Sequence, residues 1–131
     1  MSQDRPTVAI VDDEEPVRRA LKRLMVSEGM SVESFASGID FLESLAERRP
    51  DCVVLDLHMP VISGFDVQTR LAQSRDSPPV VVITCQDTPE TRQRVMDGGA
   101  AAFLRKPVIA RVLLDAIASA IAERARDDLK T

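Results

Sequence analysis

Short apolar runs alternate along the chain with longer segments in which apolar positions recur at helical spacing. Three of the short runs are β-branched and almost continuously apolar, which is typical of parallel strands buried on both faces. These runs are Thr7–Val11, Cys52–Leu57 and Val80–Thr84. Ser31–Phe35 alternates apolar and polar residues, as a more exposed edge strand does, and Ala101–Arg105 is a fifth candidate. The pattern therefore predicts five strands.

A helical pattern follows each predicted strand. In the first helix Val17, Leu21, Leu24 and Met25 recur at helical spacing, and Gly29 follows as a C-terminal cap. The other helices are predicted near Gly38–Glu47, Phe65–Ser74, Pro89–Asp97 and Ile109–Arg124. A strand–helix order repeated five times predicts an α/β domain with a parallel sheet and right-handed crossovers.

Length and composition indicate a single globular domain, and the net charge bears on its binding partners. The 131 residues, 44% apolar and 29% charged, suit one globular domain with its own core. We predict a single domain over 1–131, with a core at about 7–123 and a polar tail at 124–131 that is a frayed end or the start of a linker. The net charge of −4 argues against direct nucleic-acid binding by this domain.

The chain shows neither an apolar run of membrane-spanning length nor a signal-peptide apolar region in MSQDRPT, so we expect a cytoplasmic location without a membrane partner. Two cysteines, Cys52 and Cys85, fit a reducing compartment. His58 is the only histidine, which excludes a His-rich zinc site and most nucleophile–histidine pairs.

Four consecutive acids, Asp12 to Glu15, follow the first predicted strand and precede a proline. Helix capping accounts for one or two acids near a helix start. The others repel one another unless a cation lies there.

Ligands of open parallel sheets bind beyond the carboxyl ends of the strands. Asp12 and Asp13, Asp56, Thr84 and Lys106 stand at those ends. Clustered carboxylates suit Mg²⁺, and a lysine beside Mg²⁺ suggests a phosphoryl group. Because GxxxxGK is absent, a nucleotide is not the obvious donor, and a carboxylate can itself accept a phosphoryl group.

Four segments in order, VDDEE, DLHMPVISG, VVVIT and FLRKP, resemble the receiver domain of bacterial two-component response regulators over about residues 7–123. The segment ITCQDTPETRQRVMDGGAAAFLRKP is further similar to the FixJ-type subgroup. The resemblance implies a CheY-like, flavodoxin-like fold: a doubly wound (βα)5 domain whose five parallel strands have the order 2-1-3-4-5.

The resemblance also implies a role for the residues at the carboxyl ends of the strands, which together form an acidic rim of the sheet. Asp56 would be the phosphoacceptor and a metal ligand. Asp13 would bind Mg²⁺ directly, and Asp12 mostly through water. His58 would offer its backbone carbonyl to the metal, with its imidazole facing solvent.

Lys106 would pair with the phosphoryl oxygens, and the Lys106–Pro107 bond would be cis. Thr84 and Phe103 are similar to the family's switch pair, in which the hydroxyl turns toward the phosphoryl group and the ring moves into the vacated space. The alternative is that Phe103 is an ordinary core residue. Cys85, next to Thr84, stands where the family generally has a smaller residue.

The implied function is a signalling switch rather than an enzyme with a metabolite product. It would accept a phosphoryl group from a sensor histidine kinase or a phosphotransfer protein and catalyse only its own phosphotransfer and autodephosphorylation. Its output would be a change in the face of helix four, strand five and helix five, around Met96, Phe103 and Val112. A homodimer formed on phosphorylation through that face is a further expectation.

Two other functions compete with the signalling switch. A Mg²⁺-dependent phosphatase with an Asp nucleophile favours a DxD motif after strand one and a cap domain, and VDDEE lacks that form. A phosphate-independent docking module would not need the complete set of Asp13, Asp56, Thr84 and Lys106.

Overall fold

The computed structural model describes residues 5–130, with the side chain of Lys130 excepted. It contains one sheet of five parallel strands in the order β2-β1-β3-β4-β5, which confirms the predicted fold. The strands are β1 (Thr7–Val11), β2 (Ser31–Phe35), β3 (Cys52–Asp56), β4 (Val80–Thr84) and β5 (Ala102–Arg105).

A helix follows each strand, as predicted. The helices are α1 (Glu15–Ser27), α2 (Gly38–Ser44), α3 (Gly64–Ala72), α4 (Pro89–Asp97) and α5 (Ala110–Lys130). Gly29 follows α1 with a φ of 84°, a conformation that glycine adopts without strain and that suits the predicted cap. The predicted helix over Gly38–Glu47 ends at Ser44, three residues early.

The sheet carries a core on each face because strand side chains alternate between faces. Val53 and Leu55 of β3 pack on one face, with Phe41 of α2. Cys52 and Val54 pack on the other, with α1 and α5. All residues of β3 and β4 are buried, as their continuous apolar pattern predicted, and β2 is the more exposed edge strand.

Helix α4 is attached to the fold differently from its neighbours. Of its nine residues only Val95 is buried. The Val95 carbonyl accepts a hydrogen bond of 3.0 Å from the side-chain amide of Gln68, a buried residue of α3. The Arg94 guanidinium lies 3.7 Å from the centre of the Phe65 ring. Polar and cation–π contacts therefore contribute much of the attachment of α4 to α3.

Helix α5 continues through the predicted polar tail to Lys130. Arg124 fixes this last part of the helix to the loop before β4: its guanidinium donates to the Ser77 carbonyl and lies 3.1 Å from the Asp76 carboxylate. Within the helix, Arg124 also pairs with Asp128 at 3.2 Å. No helix within residues 5–130 is both long enough and apolar enough to cross a membrane.

Candidate functional site

Three aspartates meet at the carboxyl end of the sheet. Asp12 and Asp13 directly follow β1, and Asp56 is the last residue of β3. Each contributes a carboxylate oxygen, and these oxygens lie within 4.8 Å of one another. Asp12 and Asp56 are buried, whereas Asp13 is exposed. The rim predicted from the strand ends is therefore present.

Hydrogen bonds fix the orientation of Asp12. Its Oδ1 accepts the backbone N–H of Glu14 at 2.9 Å, and its backbone carbonyl accepts Arg18 Nη1 at 2.7 Å. Its buried Oδ2 forms an ion pair of 3.0 Å with Lys106 Nζ, and no other described residue donates a hydrogen bond to it. The same ammonium also contacts Glu14 and Asp56, so it compensates the buried Asp12 carboxylate only in part, and burying an incompletely paired charge is costly. The acidic cluster thus fits a hard cation such as Mg²⁺.

Lys106 joins the acids from the end of β5. Its Nζ lies 3.0 Å from Asp12, 3.2 Å from Asp56 and 3.2 Å from Glu14, and its side chain is only 10% exposed. Its backbone N–H donates to the Thr84 carbonyl at 2.8 Å, which ties the lysine to the end of β4. The predicted cis bond between Lys106 and Pro107 is present.

The pocket remains acidic despite this lysine. Burial and the charge of Asp12 raise the pKa of Asp56 to about 6, although the positive charge of Lys106 opposes the rise. Burial lowers the pKa of Lys106, but its close contact with Asp12 and the charge of Asp56 outweigh burial, so that pKa lies above its ordinary value. A further cation would relieve the repulsion between the two buried carboxylates.

The loop between β3 and α3 is packed against the backbone of Asp56. A Cβ on Gly64 would lie 2.6 Å from the Asp56 carbonyl oxygen, so only glycine allows this approach. The Gly64 N–H donates to the Leu57 carbonyl at 2.8 Å and closes the loop. His58 is exposed, as predicted for its imidazole. Val61 has a φ of 71° and is 88% exposed.

The proposed switch residues lie on adjacent strands. Thr84 is fully buried, and its Oγ1 accepts the backbone N–H of Gln86 at 3.1 Å. Phe103 pairs with Val82, two residues before Thr84, so Thr84 and Phe103 belong to the same face of the sheet. Phe103 is 8% exposed and packs in the core, as the interpretation of this residue as a core residue predicts.

Two contacts at this rim were not predicted. Glu14 contacts Lys106, whereas the sequence had offered only helix capping as a local role for this acid. Arg92 of α4 lies 4.6 Å from the centre of the Phe103 ring. Both contacts join residues of different elements, and no local sequence pattern indicates which partner such a charge will have.

The chain matches the family model described as "Response regulator receiver domain" over residues 8–118. The protein therefore belongs to the response regulator receiver domain family, a class of regulatory signalling domains of two-component systems.

Named relatives agree with this class. Response regulator MprA of Mycobacterium sp. (strain KMS) is 37% identical over 107 residues, covering 82% of this chain and 46% of that protein. MprA of Mycobacterium leprae (strain TN) is 36% identical over 121 residues, covering 92% of this chain and 53% of that protein. The chain thus spans about half the length of these relatives.

Solved receiver structures share the fold over nearly the whole chain. The signal receiver domain of a putative LuxO repressor protein from Vibrio parahaemolyticus superposes with a TM-score of 0.89 at 26% identity, covering 95% of this chain and 96% of that one. A response regulator receiver protein from Burkholderia phymatum gives a TM-score of 0.80 at 37% identity, covering 90% and 96%.

Proposed function

We propose that Asp56 accepts a phosphoryl group from the phosphohistidine of a sensor histidine kinase or phosphotransfer protein, in a Mg²⁺-dependent reaction that alters an output surface. The observation that carries the proposal is the convergence of Asp12, Asp13, Asp56 and Lys106 at one rim. The narrower similarity to the FixJ-type subgroup, the cytoplasmic location and the single-domain boundaries stay predictions from the sequence.

Asp56 is assigned as the acceptor because the family-like segment DLHMPVISG begins with it, and its nearly buried carboxylate lies at the rim beside Lys106. A carboxylate oxygen of Asp56 attacks phosphorus, and the bond between phosphorus and the donor's imidazole nitrogen breaks. Asp12, Asp13, Asp56 and the backbone carbonyl of His58 would hold Mg²⁺, which supplies positive charge to the phosphoryl oxygens when bound. The raised pKa of Asp56, about 6, means that without a bound cation the carboxylate is only half ionised near pH 6 and becomes mostly ionised as the pH rises further.

Lys106 and Thr84 provide the remaining contacts. The Lys106 ammonium, now shared among carboxylates, is close enough to Asp56 to pair with a phosphoryl oxygen on it. The Thr84 hydroxyl turns toward the phosphoryl group and donates a hydrogen bond. Phosphoryl transfer depends chiefly on positioning and charge of this kind. The domain catalyses only its own phosphorylation and autodephosphorylation, and its product is a conformational state.

The output surface is formed by α4, β5 and α5. Met96 of α4 is 42% exposed and Val112 of α5 is 45% exposed. Phe103 belongs to β5, the strand that connects these two helices in the sequence. We place the phosphorylation-dependent change here, with a homodimer as its consequence. Measuring the molar mass of the particle in solution with and without phosphorylation tests the dimer, and a monomer mass in both states would contradict it.

Incubation with Mg²⁺ and acetyl phosphate, followed by intact mass measurement, tests the acceptor. We expect one added phosphoryl group in the wild type and none in Asp56→Asn. Asp115→Asn, which removes an exposed acid of α5, is the matched control and should be labelled like the wild type. Undiminished labelling of Asp56→Asn would refute the assignment. Absence of labelling in every protein would favour a phosphate-independent docking module.

A further inference from the structure

Phe103 is covered on its outer side by an arginine. The Arg92 guanidinium lies 4.6 Å from the ring centre, while the Arg92 side chain is 53% exposed and Phe103 is 8% exposed. A guanidinium over an aromatic face is attracted by the ring quadrupole. Phenylalanine has no hydroxyl or ring nitrogen with which to fix its own rotamer, so this contact is a polar restraint on the ring.

The arginine is in turn held by the loop that follows Thr84. Arg92 Nη2 lies 2.9 Å from Asp87 Oδ1. Asp87 comes directly after Gln86, whose N–H donates to Thr84 Oγ1 at 3.1 Å. A continuous set of contacts therefore leads from the Thr84 hydroxyl through the loop to the Phe103 ring.

We propose that Arg92 is a positioning residue that tethers Phe103 to the loop after Thr84 and so stabilises the unphosphorylated state of the switch. This inference rests on the proposed function. When the Thr84 hydroxyl turns toward a phosphoryl group on Asp56, the Gln86 N–H loses its acceptor. The loop can then shift the Asp87 carboxylate, and with it the cation that covers Phe103.

The attachment of α4 makes this tether effective. The helix buries only Val95, so its position depends strongly on its side-chain contacts. Arg94, two residues further along the same helix, makes a comparable contact with Phe65 at 3.7 Å. Phe65 lies on α3 rather than on β5 or in the loop after Thr84, so Arg94→Ala is a matched control for general loosening of α4.

Titration with beryllofluoride in the presence of Mg²⁺ measures the balance of the switch. Removing the tether in Arg92→Ala should lower the concentration needed for half-saturation about two- to fivefold, the factor expected from an exposed cation–π contact. Arg94→Ala should leave it unchanged, and Arg92→Lys, which keeps the charge, should restore most of the wild-type value. Equal effects of Arg92→Ala and Arg94→Ala, or weaker binding by Arg92→Ala, would overturn the proposal.

A fluorine label on the four phenylalanines gives a second measurement that does not need beryllofluoride. Asp87→Asn should shift the Phe103 resonance in the same direction as Arg92→Ala, although Asp87 acts on the ring only through Arg92. The two changes should also be non-additive. An unchanged Phe103 resonance in Asp87→Asn would refute the tether. By contrast, a wild-type protein that neither binds beryllofluoride nor becomes phosphorylated would refute the proposed function and leave the tether to be decided by this resonance.

Discussion

Lys106 Nζ lies 3.2 Å from Asp56 Oδ1, and the same ammonium is shared with Asp12 at 3.0 Å and Glu14 at 3.2 Å. One cation thus serves three carboxylates, and Asp13 adds a fourth acid to the cluster. This excess of negative charge has measurable consequences for stability and for metal binding.

The first prediction concerns Asp56 and pH. Its folded pKa of about 6 lies above its ordinary value of 3.8, so the folded protein binds more protons than the unfolded chain between these two pH values. The contribution of Asp56 to the free energy of unfolding should therefore fall as pH rises from about 4 to about 6. Without Mg²⁺, Asp56→Asn should be more stable than the wild type by roughly 1–3 kcal/mol above pH ~6, a gain that disappears below pH ~4.

Urea unfolding across this pH range, in the presence of a chelator, measures the difference. Asp115→Asn removes an exposed acid with no partner role in the site and serves as the control, with no comparable pH-dependent gain expected. A difference between Asp56→Asn and the wild type that is constant with pH would show that burial of charge is not its cause.

The second prediction concerns the metal ligands. Asp13→Ala should weaken Mg²⁺ binding by roughly tenfold or more, because loss of a direct ligand should cost at least as much as loss of an outer-shell partner. Asp12→Ala should weaken it less, since its carboxylate is expected to act mostly through water. Mg²⁺-dependent stabilisation against urea gives the three affinities. Equal affinities for the wild type and both variants would remove the metal interpretation of the acidic cluster.

The third prediction concerns the two thiols. Cys52 is buried, and its pKa is raised to about 12, chiefly by burial. Cys85 is exposed. Since Asp56 pairs with Ile83, the two cysteines are offset by six positions along the sheet, which is about 20 Å. A disulfide requires Cα atoms within about 7 Å.

We therefore expect no intramolecular disulfide under oxidising conditions and rapid labelling of Cys85 alone in the folded protein. A bulky adduct on Cys85 should then slow phosphorylation of Asp56, because this residue directly follows Thr84. Peptide mapping identifies the labelled thiol. Equal labelling of both cysteines in the folded state would contradict the observed burial, and Cys85→Ala controls for the adduct's effect.

The fourth prediction concerns Val61. A β-branched residue at a φ of 71° is strained, and with 88% of the residue exposed it recovers little by packing. Val61→Asn should increase the free energy of unfolding by about 1 kcal/mol, because asparagine tolerates the left-handed region. Val61→Ala removes the β-branch but has no side-chain amide that could hydrogen-bond locally, and it should gain less. Urea unfolding of the three proteins provides the comparison, and a loss of stability in Val61→Asn would show that the valine side chain has a stabilising contact.

Most of the fold was predictable because the strands carry strong apolar patterns. β3 and β4 are buried at every position, and such runs are distinctive in sequence. The predicted end of α2 was wrong because Leu45 to Glu47 have a helix-like composition. In the structure their N–H groups bond to carbonyls three residues earlier, which tightens the chain into a turn after Ser44. The tail continues α5, and Arg124 joins it to the loop before β4 through a tertiary contact that no local pattern reveals.

The acids and the lysine of the site were predictable because strand order alone brings strand ends to one rim. The contact of Arg92 with Phe103 and the φ of Val61 were not, since both depend on geometry between elements or within a loop. The roles of Asp56, Thr84 and Phe103 in a switch stay predictions that the experiments above can decide.

The single buried side chain of α4 also bears on local opening. A helix that loses one buried valine and a few polar contacts when it detaches can open without unfolding the sheet beneath it. Its amide protons should therefore exchange with solvent deuterium through such partial opening, whereas those in the middle of β3 should exchange only when the whole domain unfolds.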